Sequence, residues 1–354
     1  TIIITSCVAV YYFSWKHYYQ ENYSSAIILL MVCGFLLRIY TSSDFYLHEW
    51  DERYHALVAK NMMNHPLVPT LYENPILPYD YKNWTANHIW LHKQPLPLWI
   101  MAGSMWIFGT NEIALRIPSI ILTTIGIWLT FSITRYLFSN KVAYLAALLY
   151  SINGLIIELT SGRIATDHID VFFLFFIELS IYFSILFAKK HLIIYNILAG
   201  VSMGAAILSK WLPALIVLPI WILIIINSKK YTYKNIAIQF FILITACIII
   251  FLPWQVYIFN YFPSEASWEA SFNIKHITEV LDERSGSCLF FLDIIRINYG
   301  ELIYLPLIWF IWKCVKNPYD KKRLSVLVWI LIPLIFFSII KTKMQGYIVF
   351  VSPA

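Results

Sequence analysis

The run Ala26 to Ile39, AIILLMVCGFLLRI, is followed about a dozen residues later by the stretch Trp50-Asp51-Glu52-Arg53-Tyr54. The first stretch predicts a membrane helix, and the second places two adjacent carboxylates near its end. Ionised side chains are costly to keep near a bilayer, and they commonly mark a substrate path or a reaction centre. Alternatively, Asp51 is a helix cap whose carboxylate accepts a backbone N–H of the next turn.

The composition is that of a polytopic membrane protein. Of the 354 residues, 60% are hydrophobic and 13% are charged, whereas about 25% of the residues of a soluble domain are charged. The mean hydropathy is +0.67. Many Trp and Tyr residues lie near the ends of apolar runs, as in the aromatic belts at headgroup level. The five Cys lack CxxC spacing, so the sequence indicates neither a zinc site nor a disulfide framework.

The apolar runs predict an all-α integral membrane bundle with many spans, forming a single domain over residues 1–354. A span needs about 20 apolar residues, and the candidates are 24–42, 113–138, 142–160, 169–187, 192–209, 211–227, 236–258, 299–315 and 324–340, with another starting near Tyr347. Both ends of the sequence look incomplete, since there is no initiator Met and the last apolar run has only begun at Ala354. The stretch Ile2 to Phe13 is expected to be the remainder of an earlier helix.

The segment Pro95 to Gly109 decides which loops share a side of the membrane. It is about 15 residues long and opens with Pro-Leu-Pro, so we expect it to lie along the interface rather than cross. The Lys and Arg clusters then all fall on one side, which the positive-inside rule makes the cytoplasm. The opposite, extracytoplasmic side receives the loops 43–112, 161–168, 209–211, 259–298 and 341–346.

The first outer loop, residues 43–112, is about 70 residues long, which is unusual without a function of its own. Within it, Arg53 to Met63 has helical spacing. A Pro-rich turn then leads to Asn87 to Leu96, NHIWLHKQPL. Lys93, just before the interfacial segment, is well placed to bind an anionic headgroup. Alternatively, it is a lysine that snorkels to the membrane surface.

Asp51-Glu52-Arg53-Tyr54, followed by His92-Lys93-Gln94-Pro95-Leu96, resembles the Asp-Glu and His/Glu-Lys-Pro-Pro-Leu signatures of glycosyltransferase family 39. That family contains the protein O-mannosyltransferases and the lipid A aminoarabinose transferases. Further matches follow in the family's order, namely Asn111-Glu112 with Arg116-Ile117-Pro118, Ser161-Gly162-Arg163 to Asp170, Ser209-Lys210-Trp211, Pro253-Trp254, and Lys343 with Tyr347 and Pro353-Ala354.

The resemblance covers almost all of residues 44–354 and implies a bacterial membrane enzyme with the GT-C fold, active in the cell envelope. Gln94 replaces the usual first Pro, His92 stands where many members have Glu, and Trp211 replaces Gly. These departures leave open which headgroup is bound and whether a metal seen in relatives binds here. The family's soluble C-terminal part is absent from this chain, and acceptor recognition is expected to be affected.

The chemistry follows from the predicted side of the membrane. Nucleotide sugars are not found outside the cytoplasm, so a transferase facing that way is expected to use a sugar carried on a polyprenyl phosphate. Inverting transfer needs a base for the acceptor hydroxyl and cations on the departing phosphate. Asp51 is the candidate base, and Glu52 is the neighbouring alternative. Adjacent helical residues point about 100° apart, so only one faces the acceptor. Glu52 would then hold Arg53 or Lys93 in place.

The second outer-loop acid, Asp167, is implied by the resemblance to orient the acceptor or the sugar hydroxyls beside Asp51. Alternatively, Asp167 and Asp170 are acids at the positive end of a helix dipole. Arg163 either pairs with Asp167 or reaches the phosphate. Lys93 is the first candidate for the phosphate, and further substrate contacts are expected from His92, Lys210, His276, Lys343 and Tyr347. A lone loop histidine such as His276 is also explained as a solvated surface residue.

The sequence contains no Gly-rich phosphate loop, HExxH pattern or Walker pattern, so nucleotide hydrolysis and zinc hydrolysis have no support. No metal ligands are predicted, and dependence on a divalent metal stays open. Nucleic-acid binding is not expected, because the basic residues lie in short cytoplasmic loops. The predicted partners are a polyprenyl-phosphate sugar, a lipid or protein acceptor, and membrane lipid.

The predicted function is therefore sugar transfer at the periplasmic face of a bacterial inner membrane. The alternative is a transporter or flippase of a lipid-linked sugar, which would also place acids and bases inside a helix bundle. Transporters usually have internal repeats and helices interrupted at the bilayer midplane. The sequence has no clear repeat, and its charged residues cluster at the ends of spans and in outer loops.

Overall fold

The computed structural model describes residues 2–354, and about 75% of the chain is helical. The helices are α1 (Ile2–Tyr19), α2 (Tyr23–Thr41), α3 (Asp51–Met62), α4 (Pro95–Phe108), α5 (Glu112–Leu137), α6 (Asn140–Ser151), α7 (Gly154–Thr160), α8 (Asp167–Lys190), α9 (Ile193–Lys210), α10 (Val217–Asn227), α11 (Tyr233–Tyr261), α12 (Pro263–Thr278), α13 (Phe290–Tyr299), α14 (Tyr304–Lys316) and α15 (Lys321–Ile339). Short 3-10 helices cover Leu212–Ile216, Glu301–Ile303 and Gln345–Val351.

Of the helices in residues 2–354, six are long and apolar enough to cross a membrane, namely α2, α5, α8, α9, α11 and α15. The number rises to eight if each of two bent pairs is one span. In these pairs, α6 and α7 meet at 50°, and α13 meets the segment 301–316 at 111°. The predicted all-α membrane bundle is confirmed.

Several predicted spans differ from the observed helices at breaks in the backbone. The span 142–160 is interrupted after Ser151, where the Asn153 side chain accepts the N–H of Ile156 at 3.0 Å and begins a new helix. The predicted start at residue 299 is wrong, because Gly300 has φ +79° and turns the chain sharply after α13. The run that begins near Tyr347 forms a 3-10 helix up to Val351. The first apolar stretch continues as α1 to Tyr19.

Helix α8 is the centre of the bundle and packs against α5, α9 and α10, while α9 lies between α8 and α11. Phe172, Phe173 and Ile177 of α8 are fully buried. Buried indole groups on neighbouring helices have hydrogen-bond partners, as expected for a low-dielectric interior. Trp221 donates to the Asn196 side chain at 2.9 Å, and Trp329 donates to a backbone carbonyl at 2.8 Å. This packing encloses α8 within the bundle.

Lysines at the end of α8 and the start of α15 lie at one end of the bundle, and the acids that begin α5 and α8 lie at the other. Lys322, at the start of α15, donates to the carbonyl of Tyr136 near the end of α5 at 2.8 Å. Lys189, in the last turn of α8, lies 4.9 Å from the centre of the Tyr136 ring. Asp167 and Glu112 begin α8 and α5 at the other end. We call the end of the bundle where α5 and α8 begin the acidic end.

Helix α4 is too short to cross a bilayer, in agreement with the interfacial prediction. It has 14 residues, so it is about 21 Å long, compared with about 30 Å of hydrocarbon. It packs against α3 and α5. Lys93 lies two residues before Pro95, the first residue of α4, and α3 begins at Asp51 rather than at the predicted Arg53. Both helices of the first outer loop therefore bring charged residues to the acidic end.

Candidate active site

Asp51 lies between a lysine and the first turn of another helix. One carboxylate oxygen, Oδ2, accepts the backbone N–H of Thr166 at 2.8 Å, and Oδ1 lies 3.6 Å from Lys93 Nζ. Asp51 does not cap its own helix, since the N-cap of α3 is Trp50 and makes no side-chain capping bond. Trp50 has φ +69°, a left-handed conformation that is uncommon outside glycine. The backbone is thus turned sharply immediately before the candidate base.

The surroundings of Asp51 favour the carboxylate. Burial by itself raises the pKa of this group, but the Lys93 ammonium, the His55 ring and the Thr166 N–H outweigh it and hold the pKa well below its usual range. Asp51 is therefore ionised at neutral pH. It is 8% exposed, so only a narrow opening reaches it.

Glu52, the alternative base, is fixed on a different face of α3. Its carboxylate accepts two hydrogen bonds from Arg116, at 2.7 and 2.9 Å, and one from the backbone N–H of His48 at 2.6 Å. His168 Nε2 lies 3.4 Å away. The predicted partners Arg53 and Lys93 are not its partners. Burial alone raises the pKa of Glu52, but His168 and Arg116 hold it well below its usual range.

Gly162 shows how tightly Glu52 is enclosed. A Cβ at this position would lie 2.3 Å from Glu52 Oε1, and the residue has φ +78°. Both the space and the backbone conformation therefore require glycine. The loop before α8 is built against Glu52 and leaves no room for a substrate there.

Asp167 is paired with a residue that the sequence did not single out. His55 Nδ1 donates to Asp167 Oδ1 at 2.8 Å, and both side chains are fully buried. The other atoms of the pair, His55 Nε2 and Asp167 Oδ2, are buried without a hydrogen-bond partner. Thr166 and Asp167 have φ of +72° and +24°, so backbone strain is concentrated at the start of α8. Arg163 does not pair with Asp167.

Asp170 and Lys210 form the next ion pair along the acidic end. The Lys210 ammonium donates to the Asp170 carboxylate, which also accepts from the Thr166 hydroxyl. The same ammonium lies 4.9 Å from the centre of the Tyr347 ring. Gly346 fits between Asp170 and Thr166, where a Cβ would collide with both side chains. Lys210 and Tyr347 are thus brought to the candidate site together.

His92 contacts helix α12, and His276 lies in the last turn of the same helix. His92 Nδ1 lies 3.4 Å from the buried Glu269 carboxylate, and the Trp84 ring stacks on His92 with centres 5.5 Å apart. His276 donates through Nδ1 to the carbonyl of Phe272 at 3.0 Å. Burial lowers the pKa of His276. His276 is therefore a half-buried neighbour of the site rather than a freely solvated loop residue.

Two predicted phosphate ligands are engaged elsewhere. The Arg163 guanidinium donates to the Asp44 carboxylate at 2.8 Å and to the carbonyl of Thr41 at 2.9 Å. The Lys343 ammonium donates to three carbonyls at the end of α15, those of Phe337, Ser338 and Ile340. Lys343 thus caps a helix whose last carbonyls would otherwise be unpaired. A role for either residue in phosphate binding stays a prediction, without support from these contacts.

A groove of about 390 Å³ runs along the exposed side of α3 next to Asp51. Its lining is mainly aromatic and charged and consists of Glu49, Trp50, Arg53, Tyr54, Leu57 and Tyr72. Metal binding has no preformed site in residues 2–354, where no three His, Cys, Asp or Glu side chains are grouped suitably. Dependence on a divalent metal stays open, as in the sequence analysis.

Comparison with known proteins supports the sequence resemblance. The sequence model of the dolichyl-phosphate-mannose-protein mannosyltransferase family matches residues 92–257. An undecaprenyl phosphate-alpha-4-amino-4-deoxy-L-arabinose arabinosyl transferase of Pseudomonas fluorescens is 24% identical over 282 residues, which are 75% of this chain and 48% of that protein. The corresponding enzyme of Yersinia enterocolitica is 27% identical over 278 residues, 75% of this chain and 49% of that protein.

Solved structures show the same architecture. ArnT from Cupriavidus metallidurans bound to undecaprenyl phosphate superimposes with a TM-score of 0.69 at 17% identity, over 92% of this chain and 58% of that one. The archaeal oligosaccharyltransferase AglB from Archaeoglobus fulgidus gives a TM-score of 0.56 at 14% identity, over 92% and 49%. The chain has the GT-C fold. Its resemblance to glycosyltransferase family 39 is confirmed, and the GT-C chain spans about half the length of the curated relatives it matches.

Three residues that organise this GT-C site were missed or given no role. His55 follows Asp51 by four residues and so shares a helix face with it. This four-residue spacing was the sequence signal that could have indicated a role for His55. Arg116 belonged to a family motif, but its partner Glu52 is far away in sequence. Glu269 lay in the long outer loop 259–298 without any local signal.

Proposed function

We propose that this chain transfers a sugar from a polyprenyl-phosphate donor to a lipid or protein acceptor, with Asp51 as the general base. One observation carries the proposal. In a GT-C fold, the acidic end of the bundle brings an ionised, partly accessible carboxylate within 3.6 Å of a lysine ammonium. The named relatives that use undecaprenyl phosphate support the choice of donor.

The donor phosphate is proposed to bind at Lys93 and to change the state of Asp51. In the unliganded site, Lys93 stabilises the Asp51 carboxylate and holds its pKa low, which makes Asp51 a weak base. A general base works best with a pKa near the operating pH. A phosphate that competes for Lys93 adds negative charge beside Asp51 and so raises the pKa of the carboxyl. Donor binding would thereby activate the base.

The remaining groups have positioning roles in this proposal. Asp167, held by His55, has one unpaired carboxylate oxygen that can accept from a sugar or acceptor hydroxyl. Lys210 lies next to Asp170 and Tyr347 and supplies a second cation for the departing phosphate. The acceptor is proposed to approach along the groove that includes Trp50, one residue from Asp51.

The site is proposed to face the extracytoplasmic side of a bacterial inner membrane. The Lys and Arg clusters of α5, α8 and α15 lie at the end of the bundle opposite the acids. By the positive-inside rule, that basic end faces the cytoplasm. The acidic end then opens where lipid-linked sugars, rather than nucleotide sugars, are the available donors.

The decisive experiment compares Asp51→Asn with wild type in reconstituted membranes. A panel of undecaprenyl-phosphate sugars, including an aminoarabinose donor, is offered, and both donor affinity and product formation are measured on each preparation. Asn keeps the size of Asp but cannot take the proton, so turnover is expected to fall about 10²- to 10⁴-fold. Donor affinity is expected to change by no more than a few fold, since Lys93 remains.

Asp44→Asn is the matched control, because Asp44 lies in the same loop and its carboxylate pairs with Arg163 and His48 rather than with Lys93. It should keep near wild-type turnover. Asp51→Glu retains the carboxylate but displaces it, and a misplacement of about 1 Å can cost a hundredfold. Turnover of Asp51→Asn close to that of wild type would refute the catalytic role of Asp51.

A lipid-linked sugar flippase is the second candidate, and one observation favours it. The pairs α6/α7 and α13/α14 are sharply bent, and interrupted helices are common in transporters. The ion pairs, however, lie at the acidic end rather than in the middle of the bundle. Translocation of donor lipid in vesicles without any sugar transfer, unchanged in Asp51→Asn, would identify a flippase.

A further inference from the structure

The first outer loop carries an apolar tip, Pro75-Ile76-Leu77-Pro78, whose two aliphatic side chains are uncovered. Ile76 is 99% exposed and Leu77 is 62% exposed. Loop tips that face water are usually made of Gly, Pro, Asn, Asp and Ser, which form turns without exposing apolar surface. The rest of the described chain, residues 2–354, does not cover this pair. The tip is therefore an apolar surface that a partner from outside the fold could cover.

The position of the tip is fixed by a contact with helix α12. The Tyr79 hydroxyl donates to the Glu265 carboxylate, and the Tyr79 ring packs on His88 with centres 4.8 Å apart. Glu265 is in the first turn of α12, four residues after Tyr261, the last residue of α11. One helical turn rises about 5.4 Å. Tyr79 is thus anchored close to the end of α11, and the tip lies two residues from that anchor.

Helix α11 marks the level of the membrane surface. It has the highest hydropathy of the six candidate spans in residues 2–354, and only 17% of its apolar window is buried inside the protein. Most of α11 therefore faces lipid. Its last turn carries Tyr257 and Tyr261 with ring centres 4.6 Å apart, and tyrosines are enriched at headgroup level. The anchor at Glu265 accordingly lies at the lipid–water boundary.

We propose that Ile76 and Leu77 insert into the lipid leaflet beside the end of α11. Burial of two aliphatic side chains drives the insertion and requires no particular headgroup charge. Pro75 and Pro78 restrict the backbone on both sides of the pair, so little conformational entropy is lost on insertion. The exposed charges nearest the tip, Glu73 and Asp80, remain in water.

Insertion would attach the first outer loop to the membrane surface through its tip. The loop already contacts α12 through Tyr79 and Glu265, and it continues to Trp84 and His92 beside Glu269. Lipid contact at the tip would hold this part of the loop at a constant depth. The stretch that leads to Lys93 would then be held at the depth of the lipid headgroups.

The test measures the depth of the tip in lipid directly. Cys288 is the exposed thiol among the five cysteines, so Cys288→Ser provides the background. Ile76→Cys is labelled with bimane in phosphatidylcholine nanodiscs and quenched separately by doxyl-labelled lipid and by aqueous iodide. Asn83→Cys, exposed in the same loop, is the matched control. Lipid quenching is expected to be several-fold stronger at position 76 than at position 83, and iodide quenching several-fold weaker.

Equal iodide quenching at both positions, with no lipid quenching at position 76, would overturn the proposal. Protection of position 76 from both quenchers would also overturn it, since that result indicates a protein partner or a second copy of the chain. Leu77→Cys repeats the measurement if Ile76→Cys does not fold. Tyr79→Phe, which removes the bond to Glu265, should reduce lipid quenching at position 76. No sugar transfer is measured, so the result is independent of the proposed function.

Discussion

Asp51 and Glu52 are adjacent in the chain, yet they occupy two regions with different roles. Glu52 faces α5. Arg116 of α5 donates to both carboxylate oxygens of Glu52 and the His48 N–H donates to one of them, at distances between 2.6 and 2.9 Å. Asp51 faces α8 and has one fixed partner, the Thr166 N–H, and one flexible partner, Lys93. A carboxylate with both oxygens held by hydrogen bonds stabilises the fold. A carboxylate held by a movable lysine can exchange that partner for a substrate.

The largest expected effect on stability comes from Glu52→Gln. Arg116 also donates to the carbonyls of Ser42, Asp44 and Tyr46, so it joins the end of α2 to α3 and α5. Removing the charge of Glu52 leaves the guanidinium buried and uncompensated, which costs about 3–5 kcal/mol. Thermal unfolding in detergent should show a clearly lower Tm.

Glu21→Gln is the control for this effect, because Glu21 forms an exposed pair with Lys141. Exposed pairs contribute little to stability, so its Tm should stay close to that of wild type. A Glu52→Gln protein as stable as wild type would show that the Arg116 cluster is not structural.

Lys93→Ala tests the Asp51 region of the comparison, in which Lys93 is the flexible partner. Loss of a charge-assisted contact to phosphate costs about 1.5–3 kcal/mol, which corresponds to a roughly ten- to hundredfold weaker donor affinity. The Tm should change less than in Glu52→Gln, since Lys93 is partly exposed and its contact with Asp51 is long. Donor affinity is measured by titration with an undecaprenyl-phosphate sugar. Unchanged affinity would favour the alternative of a lysine that snorkels to the membrane surface.

The pH dependence of stability sharpens the contrast further. The pKa of Glu52 is lowered in the folded protein, so the folded state binds fewer protons than the unfolded state. Its contribution is fully present above the unfolded value of about 4.3 and is lost as the pH falls towards the folded pKa. The Tm of wild type should therefore fall below about pH 4.3 more steeply than that of Glu52→Gln. Parallel curves for the two proteins would contradict this assignment.

The sequence was sufficient for the parts of the structure that depend on local composition. Apolar length predicted most spans, and the motif order placed Asp51, Lys93 and Asp167 at one end of the bundle. The partners of these residues depend on how helices rotate and pack, which no local pattern records. Glu52 finds Arg116 across the fold, and Lys343 turns back onto the end of its preceding helix. The sequence therefore indicated which charged residues lie near the site more reliably than it indicated what each of them does.

The smallest expected effect is that of Arg163→Ala, and it separates surface pairing from substrate binding. Arg163 Nη2 lies 2.8 Å from the Asp44 carboxylate, with side chains that are 41% and 28% exposed. Its hydrogen bond is the main cause of the lowered pKa of Asp44. Pairs this exposed contribute about 0.2–1 kcal/mol. The variant should thus retain its Tm within a few degrees and keep both donor affinity and turnover. If Arg163 instead leaves Asp44 to reach the phosphate when donor is bound, the same variant would lose donor affinity about as strongly as Lys93→Ala while its unfolding curve stays unchanged. Measuring the Tm and donor affinity of both variants side by side decides whether Arg163 joins Lys93 in binding the donor.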